Sequence, residues 1–300
     1  MKWPETVTIT EVGPRDGLQN ENSAISLEKK IEMVNRLSAT GLTRIEAASF
    51  VSPRAIPQMA NATEVMAGIE RRPGITYIAL VPNERGAHDA LAADADEISV
   101  VVSASESHNR SNVNRTIDES LEGVRAIAAL CREAGVPWAG YVATSFGCPY
   151  EGAVDPASVL RIARAYRDAG AYAVALGDTI GVADPRQVHA LVSQLAAEGP
   201  RSQLRLHFHD TYGRGLANTA AAMEAGATQF DGSVGGLGGC PYAPGASGNV
   251  ATEDMVSMLE RMGVKTGVDL DALLGVAEFV QGVVGRRLDG KVLRATLASR

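Results

Sequence analysis

Residues 155–178, DPASVLRIARAYRDAGAYAVALGD, are predicted to contain one helix followed by one strand, and the fold is predicted from the repetition of this unit. The Asp-Pro pair is a helix start signal, apolar residues follow at helical spacing, and the Ala-Gly pair is typical of a helix end. The short apolar run that follows is typical of a buried strand. Eight strand–helix pairs extend from about residue 6 to 263. Because strands that alternate with helices pair in parallel, the pattern predicts an α/β fold, a (β/α)8 TIM barrel.

The chain of 300 residues is predicted to form a single domain. The barrel is expected at about 5–263, and a C-terminal helical extension at about 264–300, with helical sequence in 270–285 that packs beside the barrel. An open, doubly wound sheet is the alternative fold. It is disfavoured because no GxGxxG motif follows the first strand.

The composition indicates a globular protein that does not act on nucleic acid or membranes. Apolar residues make up 45% of the chain and the net charge is −7, which disfavours nonspecific binding to either polyanion. No apolar run approaches the ~20 residues of a membrane span, and the first residues do not resemble a signal peptide, so we expect a cytoplasmic location. An odd, sparse set of cysteines indicates reduced thiols rather than disulfides: Cys131, Cys148 and Cys240.

Two histidines follow each other at alternate positions in LRLHFHD, residues 204–210. In a strand, His207 and His209 project to the same side, here into the barrel mouth, where such enzymes place their sites. Asp16 after strand 1 and Asn249 after strand 8 add two oxygen ligands. This set suits Mn²⁺, Mg²⁺ or Zn²⁺, and the lack of a thiolate argues against a structural zinc. A pair of hydrogen-bonded core histidines is the alternative interpretation.

Other polar residues are predicted at the same end of the barrel. Arg15 suits a carboxylate, a thioester oxygen or a developing enolate, although a surface ion pair with its neighbour is the alternative. Glu11 and Glu46, on or near inward strand positions, either form a buried network or take part in catalysis. Asp178 is a general base, an orienting residue or a turn cap. Gln19 also follows strand 1.

A glycine-rich loop, GGLGGCPYAPGASGN (235–249), contains a single thiol, Cys240. Glycines explain the turns, but they also suit a loop that closes over the mouth and brings the thiol to a substrate carbon. An inert small residue is the alternative interpretation of Cys240. Cys148, in FGCPYEG, is interpreted as a packing or lining residue.

Six segments together resemble the 3-hydroxy-3-methylglutaryl-CoA (HMG-CoA) lyase family: EVGPRDGLQNE, SFVSP, GCPYEG, LGDTIGV, HDTYG and SVGGLGGCPYAPGASGN. The resemblance covers about residues 5–285, and the glycine–cysteine loop is the family's hallmark. It implies metal-dependent cleavage of HMG-CoA into acetyl-CoA and acetoacetate, as in leucine degradation, and it suggests a homodimer. The alternatives are a lyase for a longer 3-hydroxy-3-alkylglutaryl-CoA, another aldolase or Claisen-type enzyme of the superfamily, and a noncatalytic metal-binding barrel.

The resemblance also implies roles for individual residues. Arg15 would neutralise the enolate of the departing acetyl-CoA, with Gln19 beside it as a substrate contact, and Cys240 would take part in proton transfer. Asp178 and Glu46 match acidic positions near the site. The remaining matches are the Mg²⁺ or Mn²⁺ ligands and one acid that supports them: Asp16, His207, His209, Asn249 and Glu253.

Two positions depart from the family pattern. Ala139 stands where relatives often have a basic residue, which bears on the thioester or coenzyme A end of the substrate. Gly235 replaces a common alanine before the glycine loop. The candidates for coenzyme A contacts are Lys291 and the residues of the 280s.

Overall fold

The computed structural model describes residues 3–21, 23–239 and 248–300. Eight parallel strands form a closed barrel in which each strand pairs with its neighbours in the sequence, and β1 pairs with β8. The predicted (β/α)8 barrel is therefore confirmed. The strands are β1 (Thr8–Glu11), β2 (Arg44–Ser49), β3 (Thr76–Leu80), β4 (Glu97–Ser103), β5 (Trp138–Ala143), β6 (Ala173–Asp178), β7 (Leu204–Phe208) and β8 (Gln229–Gly232).

The helices surround the barrel and begin where the sequence provides capping side chains. The Asp155 carboxylate accepts from Ala157 N at 2.9 Å at the start of α6, and Thr116 and Glu119 form a capping box at the start of α5. The helices are α1 (Leu27–Leu37), α2 (Ala62–Gly68), α3 (Glu84–Ala92), α4 (Glu106–Val113), α5 (Ile117–Ala134), α6 (Pro156–Asp168), α7 (Pro185–Ala197), α8 (Gly215–Glu224), α9 (Thr252–Arg261), α10 (Leu270–Val284) and α11 (Lys291–Ala298).

Helix α4 is an addition to the predicted pattern. Its sequence, ESHNRSNV, is polar on all sides, so it has no apolar periodicity from which a helix could be predicted. Local caps define it instead: the Ser105 hydroxyl accepts from His108 N at 3.1 Å, and Asn114 ends the helix with φ +54°. The loop between β4 and β5 therefore contains two helices.

The C-terminal helices α10 and α11 pack beside the barrel. Helix α10 contacts α1 and the short turn Val234–Gly236, and the Arg36 guanidinium lies 4.1 Å from the ring centre of Phe279. The Asp254 carboxylate accepts from Lys291 N at 3.0 Å, which fixes the start of α11. Among the described residues, no helix is both long and apolar enough to cross a membrane.

Candidate active site

A tight turn after β1 buries two charged residues at the carboxyl end of the barrel. Residues Gly13–Gly17 form one π-helical turn, in which Asp16 N donates to Val12 O at 2.7 Å. The Arg15 guanidinium contacts the Asp16 carboxylate, and its Nε donates to Glu46 Oε2 on β2 at 2.6 Å. All three side chains are buried. The alternative of a surface ion pair for Arg15 therefore does not hold.

Three potential metal ligands converge at this end of the barrel. One atom each from Asp16, His207 and His209 lies within 4.8 Å of the others. The distances from Asp16 Oδ2 are 3.9 Å to His207 Nε2 and 4.0 Å to His209 Nε2. Gln19 Nε2 donates to the other carboxylate oxygen at 3.1 Å.

Asn249 lies against the same carboxylate. Its Nδ2 donates to Asp16 Oδ2 at 2.7 Å and to Leu237 O at 3.0 Å, and residues 209 and 249 form a β-bridge. Its Oδ1 is buried and has no hydrogen-bond partner within the described residues. A buried amide oxygen without a partner is costly, and a cation would satisfy it.

The electrostatics of these groups suit a cation. Burial raises the pKa of the Asp16 carboxyl, but Arg15 and the two imidazoles outweigh burial and hold that pKa below its ordinary value. Burial and the neighbouring imidazole lower the pKa of His209 to about 4. The carboxylate is therefore ionised and this imidazole neutral near pH 7, the states in which both groups bind metals. The convergence of both Nε2 atoms on one carboxylate also disfavours a structural pair of core histidines.

Glu11 bonds to the segments that follow β1 and β8. Its carboxylate accepts from Gly13 N at 2.7 Å, from Val234 N at 2.9 Å and from the Thr252 hydroxyl at 2.6 Å. Burial raises its pKa to about 7, against these hydrogen bonds. Of the two interpretations left open by the sequence, the contacts place Glu11 in a buried network, which holds turns on both sides of the site.

Glu253 fixes the start of the glycine-rich loop. Its Oε2 accepts from Gly235 N at 2.9 Å, and burial raises its pKa to about 8. Gly235 has φ +71°, and a Cβ atom there would lie 2.3 Å from Leu288 Cδ1. Glycine rather than alanine therefore suits this position, because the backbone is left-handed there and Leu288 of the C-terminal extension leaves no room for a Cβ atom.

Asp178 is the last residue of β6, the strand that pairs with β7, where His207 lies. Its carboxylate accepts from Ala183 N at 3.2 Å, so it does cap a turn. Burial raises the pKa of Asp178 to about 6, although the backbone N–H groups of Ala183 and Val182 oppose this. A buried acid with such a pKa can also act as a general base near neutral pH.

The cysteines fall into two groups. Cys240 lies outside the described residues, so its predicted role stays a prediction. Cys148 is buried, its Sγ lies 3.0 Å from Ser105 Oγ, and it accepts from Tyr150 N at 3.3 Å. These contacts agree with its interpretation as a packing residue.

Three residues near the site were missed in the sequence. Asp231 on β8 lies opposite His207 in the register, and its Oδ2 is 3.2 Å from His207 Nδ1. Tyr141 donates to Asp231 Oδ2 at 2.9 Å, and Arg205 donates to the Tyr141 hydroxyl at 3.1 Å. The available signal was a charged residue inside a buried strand: Arg205 in LRLHF and Asp231 in QFDG.

Fold and site together define a class: a (β/α)8-barrel enzyme with a candidate divalent-cation centre and buried acids at its carboxyl end. The family model described as HMGL-like matches residues 6–280. Hydroxymethylglutaryl-CoA lyase YngG of Bacillus subtilis is 48% identical over 299 residues, which cover 100% of both chains.

Two solved structures are similar over nearly the whole chain. The hydroxymethylglutaryl-CoA lyase from Pseudomonas aeruginosa has a TM-score of 0.97 and 46% identity, with 100% of both chains covered. An HMG-CoA lyase from Acinetobacter baumannii, in complex with coenzyme A and 3-methylmalate, has a TM-score of 0.95 and 42% identity, with 98% and 96% covered. The chain belongs to the HMGL-like family, and the resemblance to HMG-CoA lyases found in its motifs is confirmed.

Proposed function

We propose that this protein cleaves HMG-CoA into acetyl-CoA and acetoacetate with the help of a divalent cation. The observation that supports this most directly is the cluster of Asp16, His207 and His209 beside the buried Arg15. The relatives from Bacillus subtilis and Pseudomonas aeruginosa, which match the chain over its full length, are HMG-CoA lyases. A cytoplasmic location and a homodimer stay predictions from the sequence.

Four side chains would hold the cation: Asp16, His207, His209 and Asn249. Mg²⁺ and Mn²⁺ both accept this mixture of oxygen and nitrogen ligands. When bound, such an ion would supply Lewis-acid chemistry that lowers the pKa of the C3 hydroxyl of the substrate. The short turn after β1 and the end of β7 fix the protein ligands before any substrate arrives.

Cleavage of the C2–C3 bond leaves an electron pair on C2, which the thioester accepts as an enolate. Arg15 stabilises the negative oxygen of this enolate, because its guanidinium is held in place by Glu46 and Asp16. Gln19 is proposed to contact the substrate from the same turn. C3 becomes the ketone of acetoacetate, and a proton delivered to C2 by Cys240 completes acetyl-CoA.

Asp178 is proposed as the base that removes the proton of the C3 hydroxyl. Because its pKa is raised to about 6, the carboxyl is ionised above that pH and protonated as the pH falls through it. We expect kcat/KM to fall about tenfold per pH unit below about pH 6, and Asp178→Asn to lower kcat/KM about 10²–10⁴-fold and remove this dependence. The measurement is kcat/KM between about pH 5 and pH 8.

Asp184→Asn is the matched control for this prediction, since Asp184 is an exposed helix cap whose function an asparagine can retain. It should keep both kcat/KM and the pH profile of the wild type. An Asp178→Asn protein with the wild-type profile would assign the proton transfer to another group.

The coenzyme A part of the substrate is proposed to bind beside the C-terminal extension. A cavity of about 670 Å³ lies there, and Arg286, Arg287 and Arg294 contribute to its lining. Arg286 Nε donates to Glu21 Oε2 at 3.2 Å, which connects this cavity to the loop after β1. Lys291, the other candidate from the sequence, is paired with Asp210 Oδ2 at 2.6 Å.

Replacing Arg287 and Arg294 together by alanine should raise KM for HMG-CoA about tenfold and leave kcat nearly unchanged. Contacts to the distant phosphates contribute equally to substrate and transition state, so their loss appears in KM. The thioester of HMG with pantetheine, which lacks these phosphates, is the matched control substrate. An equal rise in KM for both thioesters would contradict this placement.

The test of the function itself is incubation of the purified protein with HMG-CoA, Mg²⁺ and a thiol reductant, followed by measurement of acetoacetate and acetyl-CoA. Equal amounts of both products are expected. If neither forms, the proposal fails for this substrate. Comparison of kcat/KM across 3-hydroxy-3-alkylglutaryl-CoA thioesters then decides whether a longer acyl chain is preferred.

A further inference from the structure

His207 is connected to a chain of hydrogen bonds that runs through the barrel interior. Its Nδ1 lies 3.2 Å from Asp231 Oδ2, which also accepts from the Tyr141 hydroxyl at 2.9 Å. The Tyr141 hydroxyl accepts in turn from Arg205 Nη1 at 3.1 Å. Asp231, Tyr141 and Arg205 are more than nine-tenths buried, whereas the His207 side chain keeps 11% of its surface exposed, on the side of the barrel mouth. Solvent therefore cannot substitute for a missing partner in this chain.

The direction of these hydrogen bonds fixes where the proton of the imidazole lies. A guanidinium can only donate, so the Tyr141 hydroxyl accepts from Arg205 and directs its own proton to Asp231. Because Asp231 Oδ2 already accepts the Tyr141 proton, it offers a lone pair to the imidazole, so His207 donates to it from Nδ1. The Nε2 lone pair is then directed toward Asp16, 3.9 Å away, where the cation is proposed.

The anchor of the chain is the fully buried Arg205 at the opposite end. Its Nη2 donates to the Tyr172 hydroxyl at 2.6 Å and to Glu97 Oε1 at 3.3 Å. Arg44 donates to the same Tyr172 hydroxyl at 2.6 Å. The Glu97 carboxylate lies against both guanidinium groups, which fixes Arg205 at this end of the chain.

The two histidines differ in this respect. His209 Nδ1 is buried and has no hydrogen-bond partner within the described residues. Of the two Nδ1 atoms, only that of His207 has a carboxylate partner among the described residues. A carboxylate that accepts from a metal-binding imidazole fixes its tautomer and increases its basicity, and losing it costs about 10–100-fold in metal affinity.

We propose that Asp231 is a positioning residue of the metal centre, which holds His207 with its proton on Nδ1, and that Arg205 fixes Asp231 through Tyr141. This inference deepens the proposed metal site and rests on it. Asp231 does not contact the cation in this scheme. It acts by preparing one of the cation's ligands before binding.

The test measures Mn²⁺ binding to the metal-free protein by calorimetry and, separately, the tautomer of His207 by nitrogen NMR of ¹⁵N-histidine protein. Asp231→Ala should raise the Kd for Mn²⁺ about 10–100-fold and move the proton of His207 to Nε2. Asp231→Asn should rescue part of this loss, because its amide oxygen can still accept from Nδ1. Tyr141→Phe should raise Kd less than Asp231→Ala does.

Tyr166→Phe is the matched control. Tyr166 is also fully buried, but its hydroxyl donates to the backbone oxygen of Tyr141 at 2.9 Å and lies outside the chain of polar side chains. Its loss should leave both the Kd and the tautomer unchanged. If Asp231 had a merely structural role, its replacement would leave the tautomer of His207 unchanged. The Kd for Mn²⁺ would then not rise most in Asp231→Ala.

The outcomes separate this inference from the metal site itself. A folded Asp231→Ala protein with wild-type Kd, or with the proton of His207 still on Nδ1, would overturn it. If Asp231→Ala does not fold, unchanged Kd values for Mn²⁺ in both Asp231→Asn and Tyr141→Phe would overturn the inference. A wild-type protein that binds no Mn²⁺ would reject the proposed metal site, whereas the tautomer is read without any metal.

Discussion

Replacing His209 by alanine is expected to raise the Kd for Mn²⁺ by more than about 100-fold. Loss of a hydrogen-bonded partner of a ligand already costs about 10–100-fold, and loss of the ligand itself should cost more. His209 Nε2 lies 4.0 Å from the Asp16 carboxylate, and its neutral imidazole is proposed as one of the two nitrogen ligands. Activity with HMG-CoA should fall with the bound metal, as measured by calorimetry and by acetoacetate formation.

Cys240→Ala provides the comparison that separates metal binding from proton transfer. The thiol is not among the proposed ligands, so this variant should bind Mn²⁺ as the wild type does. Its turnover should fall about 10²–10⁴-fold, the usual contribution of a general acid. Equal loss of metal in both variants would show that the roles of these two residues are assigned wrongly.

Arg15→Gln should lower kcat about 10²–10³-fold and also destabilise the protein. The first effect follows from the loss of positive charge at the enolate oxygen. The second follows because Glu46, which accepts from Arg15 Nε at 2.6 Å, is left buried without its partner. Removal of one member of a buried ion pair costs about 3–5 kcal/mol, which urea unfolding can measure.

Two further variants test this explanation. Arg15→Lys keeps the charge but not the several donors of the guanidinium, so it should recover part of the stability and part of kcat. Arg161→Gln breaks an exposed pair with Asp118 and should cost about 0.5 kcal/mol or less. An Arg15→Gln protein as stable as the Arg161→Gln protein would contradict the buried pair.

The fold was predictable because every strand–helix unit repeats the same local signals. Apolar periodicity and capping residues are local properties of the chain, and the parallel pairing follows from their alternation. The same reasoning missed α4, whose polar sequence has no apolar face. Its existence depends on the cap provided by Ser105 and on the turn at Asn114.

The site was predictable only where the alternation of side chains along a strand determines the direction in which each side chain points. The positions of His207 and His209 follow from that rule, and their side chains do face Asp16. The contacts of Glu11 do not follow from it, because its carboxylate also bonds to Val234 and Thr252, which are distant in the sequence. The pairing of Asp231 with His207 depends on the register between β7 and β8, which a single sequence does not reveal.

The proposed ligands lie on both sides of the seam where the cylinder closes. Asp16 follows the first strand, whereas His207, His209 and Asn249 come from the last third of the chain, and β1 meets β8 only when the sheet is complete. In a sheet that is still open, Asp16 would therefore be separated from the other three proposed ligands. A cation that binds only the closed barrel would stabilise the barrel against opening. The size of this stabilisation would depend on the concentration of the cation and on its affinity.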